Sequence, residues 1–189
     1  MACERRSFLK AAAAAGLAAA AAPCRGAGQA AEEASEFPVK PARHFVALPE
    51  KRVRCELCPR KCEVADRERG YCGVRENRGG DYTTLVWGRA CSLNIDPIEK
   101  KPLFHFLPGA TALSVATAGC NMECKFCQNW EISQFRPEQI AASFMPPARL
   151  AELAAARGAP AIAYTYSEPV VFFEYMYDAA VAGNARKIK

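Results

Sequence analysis

A chain of 189 residues, 51% hydrophobic and 24% charged, suits one domain with a small appendage. Its 25 Lys plus Arg against 20 Asp plus Glu leave a net charge of +5, but the cations are scattered among acids without a basic run, which argues against a nucleic-acid partner. Ten cysteines exceed what core packing uses, and their close spacing points to metal rather than to a disulfide framework.

Residues 1–30 read as a targeting segment. Glu4-Arg5-Arg6-Ser7-Phe8-Leu9-Lys10 resembles the twin-arginine export motif, with Glu4 where Ser or Thr is usual. An alanine-rich run from Ala11 to Ala22 follows, and small residues from Gly28 to Ala31 offer a cleavage site. The run is too short and too weakly apolar for a stable membrane span. The expectation is export to the periplasm. Residues 31–52, with Pro38, Pro41 and Pro49, read as a linker or an extended arm laid on the body.

Residues 53–108 form a cysteine-rich region. Cys55, Cys58, Cys62 and Cys72 give C-x2-C-x3-C-x9-C, with Gly70 and Gly73 beside the last thiol to permit a tight turn. Four thiolates this close suit either an all-cysteine zinc site or an auxiliary iron–sulfur cluster. A single hairpin is predicted, turning at Gly79-Gly80-Asp81 into a strand from Tyr82 to Trp87. So small a unit has little core, and a metal would stand in for one. Cys91 reads as a buried small hydrophobe. Asp96, Glu99 and Lys100 read as solvated or structural residues in local pairs of little worth, and His105, between Phe104 and Phe106, as a packing residue.

Residues 109–189 carry the clearest pattern. An apolar run from Ala112 to Thr117 predicts a buried strand, and it leads into a loop bearing Cys120, Cys124 and Cys127 as C-x3-C-x2-C. Three thiolates on one loop can hold three corners of a cubane iron–sulfur cluster, leaving the fourth iron open. An open position is where a metal site does chemistry. A helix is predicted over about 147–157, with Pro147 in its first turn and Gly158 as its cap. A second strand follows from Pro160 to Tyr166, then a helix over about 170–186 with Val170, Phe173, Met176 and Tyr177 on its packed face. Strand, helix, strand, helix implies an α/β fold with parallel strands. Both the cysteine loop and Thr165-Tyr166-Ser167-Glu168-Pro169 then fall at carboxyl ends of strands, where such folds place chemistry.

C-x3-C-x2-C with Phe126 before the third cysteine resembles the signature of the radical S-adenosylmethionine (SAM) enzymes. The segments CELCPRKC, GYCGVREN, NIDPIEKKPLFHFLPG, TAGCNMECKFCQNWEIS and TYSEP are similar, in the same order, to the radical SAM enzyme of the AmmeMemoRadiSam set. That set is related to the activating enzymes of glycyl-radical enzymes such as pyruvate formate-lyase. The resemblance implies a partial, TIM-like βα barrel, of which this chain would hold the start. It implies a 4Fe–4S cluster on Cys120, Cys124 and Cys127, with SAM on the open iron, split reductively to a 5′-deoxyadenosyl radical that abstracts hydrogen. By analogy the substrate would be a protein.

The resemblance further implies Phe126 near the adenine, Glu168 near the SAM amino group, and an electron donor such as a flavodoxin or ferredoxin. In the wider superfamily Gly-Gly-Glu often stands where Tyr166-Ser167-Glu168 stands here. Glu168 also reads as an acid at a helix N-terminus. Export sits against this chemistry, because SAM and low-potential electrons are cytosolic resources, and a cytoplasmic location is the alternative. Residues 109–189 fall well short of the ~250 of an eight-unit barrel, so the expectation is a truncated amino-terminal portion, not competent alone. The rival reading is a non-catalytic iron–sulfur or zinc protein that transfers electrons without SAM.

Overall fold

The computed structural model describes residues 37–189. The predicted export segment, with Cys3 and Cys24, and the first part of the linker lie outside the described residues. No helix among the described residues is long and apolar enough to cross a membrane.

The arm does more than lie on the body. Two short strands, β1 (Lys40–Pro41) and β2 (Phe45–Ala47), take edge positions in two separate three-stranded sheets. An edge suits Pro41, because one side of an edge strand needs no ladder donor. β2 pairs antiparallel with β3 (Val53–Cys55), which pairs with β4 (Glu63–Val64). β1 pairs with β6 (Asp81–Thr84), which forms a hairpin with β5 (Arg75–Arg78). The hairpin turns at Gly79 and Gly80, both at positive φ (69° and 104°), as a two-residue turn between twisted strands requires. The strand expected to reach Trp87 ends at Thr84. Ala42, Val53, Cys55, Val64 and Tyr82 make up the small core here.

β7 (Arg89–Ala90) pairs with β10 (Ser143–Phe144). The central sheet has the order β11-β9-β8. β9 (Thr111–Ala116) and β11 (Ala161–Tyr164) run parallel, with Ala112 opposite Ala161, as the alternating pattern predicts. On the other side of β9 lies β8 (Ser92–Pro97), antiparallel, with Asp96 opposite Ala112. The stretch lies within the bounds read as the cysteine-rich region, while its resemblance marks it as the entry to the βα fold, and pairing with β9 makes it part of the central sheet. No sheet among the described residues closes into a barrel. The outer edge of β11 is met by Lys189, whose N–H donates to the Pro160 carbonyl at 2.9 Å and whose carbonyl accepts from Ile162 N–H at 2.7 Å. That is the pattern of a parallel pairing.

Two helices cover one face of this sheet. α2 (Pro147–Ala156) follows a four-residue α1 (Trp130–Ser133) and buries Leu150, Ala151 and Ala154. It ends before Gly158, whose φ is 64°. α3 (Phe173–Ala185) buries Tyr175, Ala179 and Gly183. Its packed face differs from the predicted one, since Tyr177 is exposed and Phe173 only partly buried. Residues Pro169–Phe172 form a 3-10 turn, whose three residues per turn shift the phase of all that follows. The arm covers the displaced face: His44 packs edge-on to Phe173 at 4.9 Å, and Arg43 lies over Tyr177 at 4.9 Å. The main core joins Leu113 and Val115 of β9 to Leu150, Phe172 and Tyr175. A buried Arg75–Glu174 ion pair ties β5 to α3.

Candidate functional site

The loop bearing Cys120, Cys124 and Cys127 begins at Gly119, where only glycine fits. Its φ is 84°, and a Cβ there would stand 2.4 Å from Val74 Cγ1 and 2.5 Å from the Cys72 carbonyl oxygen. That close approach sets Cys120 directly beside the cysteine-rich region. Gly119 N–H donates to the Ile132 carbonyl at 2.9 Å, and Cys127 N–H to the Cys124 carbonyl at 3.0 Å, which folds the loop back on α1. Met122 N–H donates to Cys120 Sγ at 3.4 Å, and Cys127 Sγ meets Ser133 Oγ at 3.4 Å. Cys124 is exposed.

The second loop, Thr165–Pro169, leaves β11 and is stitched to the first. Ser167 Oγ donates to the Thr117 carbonyl at 2.9 Å, and Asn129 Nδ2 to the Tyr166 carbonyl at 3.1 Å. Between them lies a cavity of about 470 Å³ whose walls include Cys120, Cys124, Cys127, Asn129, Tyr166 and Glu168. The thiols and the carboxylate singled out from sequence thus share one space, with Asn129 and Ser133 as neighbours that sequence reading missed. Phe126 does not join them. Its side chain is 91% exposed and is not part of the cavity wall. Glu168 Oε1 accepts from Val170 N–H at 3.5 Å as the cap of the 3-10 turn, so the cap role foreseen for it is present.

Tyr166 has a φ of 67°, in the left-handed region. For a non-glycine residue this costs about 1–2 kcal/mol. Its hydroxyl donates to Asp96 Oδ2 at 2.5 Å. The same carboxylate accepts from Lys101 Nζ at 2.7 Å, Ser114 Oγ at 2.7 Å and Lys100 Nζ at 2.9 Å. For Asp96 the structural reading holds and the solvated one does not, and the expectation corrected is that its pairing is local and of little worth. Asp96 is 6% exposed and ties β8, β9 and the Tyr166 loop together. Burial works to raise its pKa, but donors from Lys101, Tyr166, Lys100 and Ser114 outweigh it and hold the carboxyl well below the usual range. Tyr166 could be flagged in the sequence only as a residue where a glycine is common.

Cys55, Cys58, Cys62 and Cys72 also come together, around a small pocket of about 20 Å³. Burial pushes the Cys72 thiol up to about 11. Cys91 sits apart, its Sγ 3.6 Å from the Ala116 carbonyl, and burial pushes it up to about 11 too, as for a packed thiol. His105 is corrected, because residues 102–109 are exposed and it packs into no core. Among the described residues no three His, Cys, Asp or Glu side chains close on one point as the shell of a single ion would. In a cubane each thiolate takes a different iron, so the three thiols of the loop suit that donor set without converging. The cavity beside them, walled by Glu168, leaves room for a ligand with an ammonium group.

Comparison with known proteins finds similarity to two proteins of the archaeon Methanocaldococcus jannaschii. The chain is 47% identical over 143 residues to "Uncharacterized protein MJ0808", a match covering 76% of this chain and 43% of that protein. It is 35% identical over 81 residues to "Uncharacterized protein MJ0674", covering 42% of this chain and 19% of that one. The chain thus spans less than half the length of the curated relatives it matches. No protein-family model matches it, and no solved structure does.

Proposed function

We propose that this chain is part of a radical SAM enzyme of the AmmeMemoRadiSam type. The observation that supports it is the single cavity lined by Cys120, Cys124, Cys127 and Glu168. The three thiols would hold a 4Fe–4S cluster, which when loaded supplies one electron for the reductive cleavage of SAM and so for hydrogen abstraction from a substrate, a protein by analogy.

The chain's own residues have definable tasks. Glu168 offers a carboxylate to the ammonium of SAM, a charge-assisted contact that orients it. Met122 N–H and Ser133 Oγ lie against two of the thiol sulfurs, where hydrogen bonds stabilise the thiolate form and tune a cluster's potential. Ser167 and Asn129 fix the distance between the two loops. Phe126, exposed beside its cysteine, is free to stack on an adenine ring. The low-potential electron would come from a flavodoxin- or ferredoxin-like donor.

The test is anaerobic reconstitution of the full chain with iron and sulfide, reduction with dithionite, and electron paramagnetic resonance with and without SAM. The expected result is a 4Fe–4S signal that SAM perturbs. A signal indifferent to SAM would overturn the proposal and leave the electron-transfer reading. That rival is favoured by one observation, a polar cavity of about 800 Å³ lined by both Cys72 and Cys120.

A further inference from the structure

We propose that Cys55, Cys58, Cys62 and Cys72 hold a second, thiolate-ligated metal centre, to which Arg75, Tyr82 and Asn121 donate hydrogen bonds. Two tight turns build the site. In the first, Lys61 N–H donates to the Cys58 carbonyl at 3.2 Å with Lys61 at φ 44°, and Cys55 N–H donates to the Cys62 carbonyl at 2.9 Å. In the second, Gly73 N–H donates to the Gly70 carbonyl at 2.9 Å with Gly73 at φ 74°, and Cys72 lies within the turn. The turns face one small pocket of about 20 Å³ lined by all four cysteines. None of the four is in a disulfide.

Buried polar atoms supply the second, independent observation. Arg75 Nε, Tyr82 Oη and Asn121 Oδ1 are all buried without a hydrogen-bond partner, and all three residues line this same pocket. They are 1%, 2% and 9% exposed respectively. Each such atom has lost its hydrogen bond to water on burial and gained none in return. Three of them around one pocket identify a missing partner rather than three unrelated defects. Arg75 and Tyr82 offer N–H and O–H donors, and the Asn121 amide offers a donor when turned about its axis. Donors call for an anionic acceptor. A centre with four thiolates carries net negative charge whether the metal is a zinc ion or an iron–sulfur cluster. Two disulfides would be neutral and would leave the donors unmet.

The four thiols do not converge on a point as they stand. Binding therefore draws them in, and the thiol protons pass to solvent as thiolate–metal bonds form. This inference does not rest on the radical SAM reading, so its test removes that site first.

The experiment uses the full chain carrying Cys120→Ala, Cys124→Ala and Cys127→Ala, purified anaerobically. Elemental and sulfide analysis is expected to find about one zinc per chain without sulfide, or iron with matching sulfide. Either outcome supports the centre and says which metal it takes. Cobalt substitution is expected to give thiolate-to-metal charge-transfer absorption in the zinc case. Metal content no higher than in the same chain with Cys58→Ser and Cys62→Ser added would overturn the proposal. Because those variants can fail to fold, a second measurement uses the unsubstituted chain. Alkylation of the four thiols, read by mass spectrometry, is expected to be at least tenfold slower before chelator treatment than after. Equal rates, or disulfides among the four, would refute it.

Discussion

The two cysteine sites stand back to back on either side of Gly119, and they are built on opposite plans. The Cys120–Cys127 loop lines a wide cavity, with Cys124 exposed and Glu168 among the other lining residues. The Cys55–Cys72 site closes four thiols and three unpartnered polar atoms around a pocket of about 20 Å³. Metal sites that hold structure together are closed, while those that do chemistry keep a position open. On that principle the proposed cluster on the first loop would be the one open to a substrate, and the proposed centre of the second would serve stability. The second site also sits where its own apolar core is five buried residues, too few to hold the six short strands of the two small sheets.

The largest expected effect separates the sites by function. Cys124→Ala should abolish the SAM-perturbed 4Fe–4S signal, read by electron paramagnetic resonance, while leaving the unfolding free energy within about 0.5 kcal/mol, as for an exposed position. A large loss of stability would mean that the exposed loop carries the fold after all.

Glu174→Ala should do the reverse. It strips the partner from the buried Arg75 guanidinium, which also lines the closed pocket. Breaking such a pair costs about 3–5 kcal/mol, measurable by denaturant unfolding. Thiols of the closed site should also alkylate faster, while those of the open loop should not change.

Gly119→Ala attacks the wall between the sites. The added Cβ meets Val74 and the Cys72 carbonyl and takes an unfavourable φ, so a loss of about 2–4 kcal/mol is expected. Because both cysteine segments must shift, metal content should fall at both sites in one elemental analysis.

Smaller effects concern the wall of the open site. Tyr166→Phe removes a hydrogen bond to a carboxylate and should cost about 1.5–3 kcal/mol. Tyr166→Gly should recover part of this, because glycine takes the left-handed φ freely. The Asp96 carboxyl is held well below its usual range, so its contribution is complete above the unfolded value of about 3.9. It is lost as pH falls through the lower folded value. The stability gap between the unsubstituted chain and Asp96→Asn should therefore be constant from pH 5 to 7 and shrink below about pH 4. A gap that stays flat into strong acid would show that Asp96 is not held as an anion.

Local pattern was enough for much of this molecule. Thiol spacing marked both cysteine groups, short apolar runs marked β9 and β11, and Pro147 and Gly158 bracketed α2, because each signal lies within a few residues of its effect. The open site's main parts were legible for the same reason, since chemistry sits where strands end.

Only the tertiary structure decided what depends on partners far away in the chain. Asp96 meets Tyr166 across 70 positions and Arg75 meets Glu174 across 99, and nothing local to any of them foretells the match. Asn121 belongs to the open site's loop by sequence yet lines the closed site's pocket. β8 falls inside the bounds of the cysteine-rich region, yet pairing with β9 makes it a strand of the central sheet. Local propensity sets which element forms, whereas burial and hydrogen-bond satisfaction, which are collective, set whom it meets.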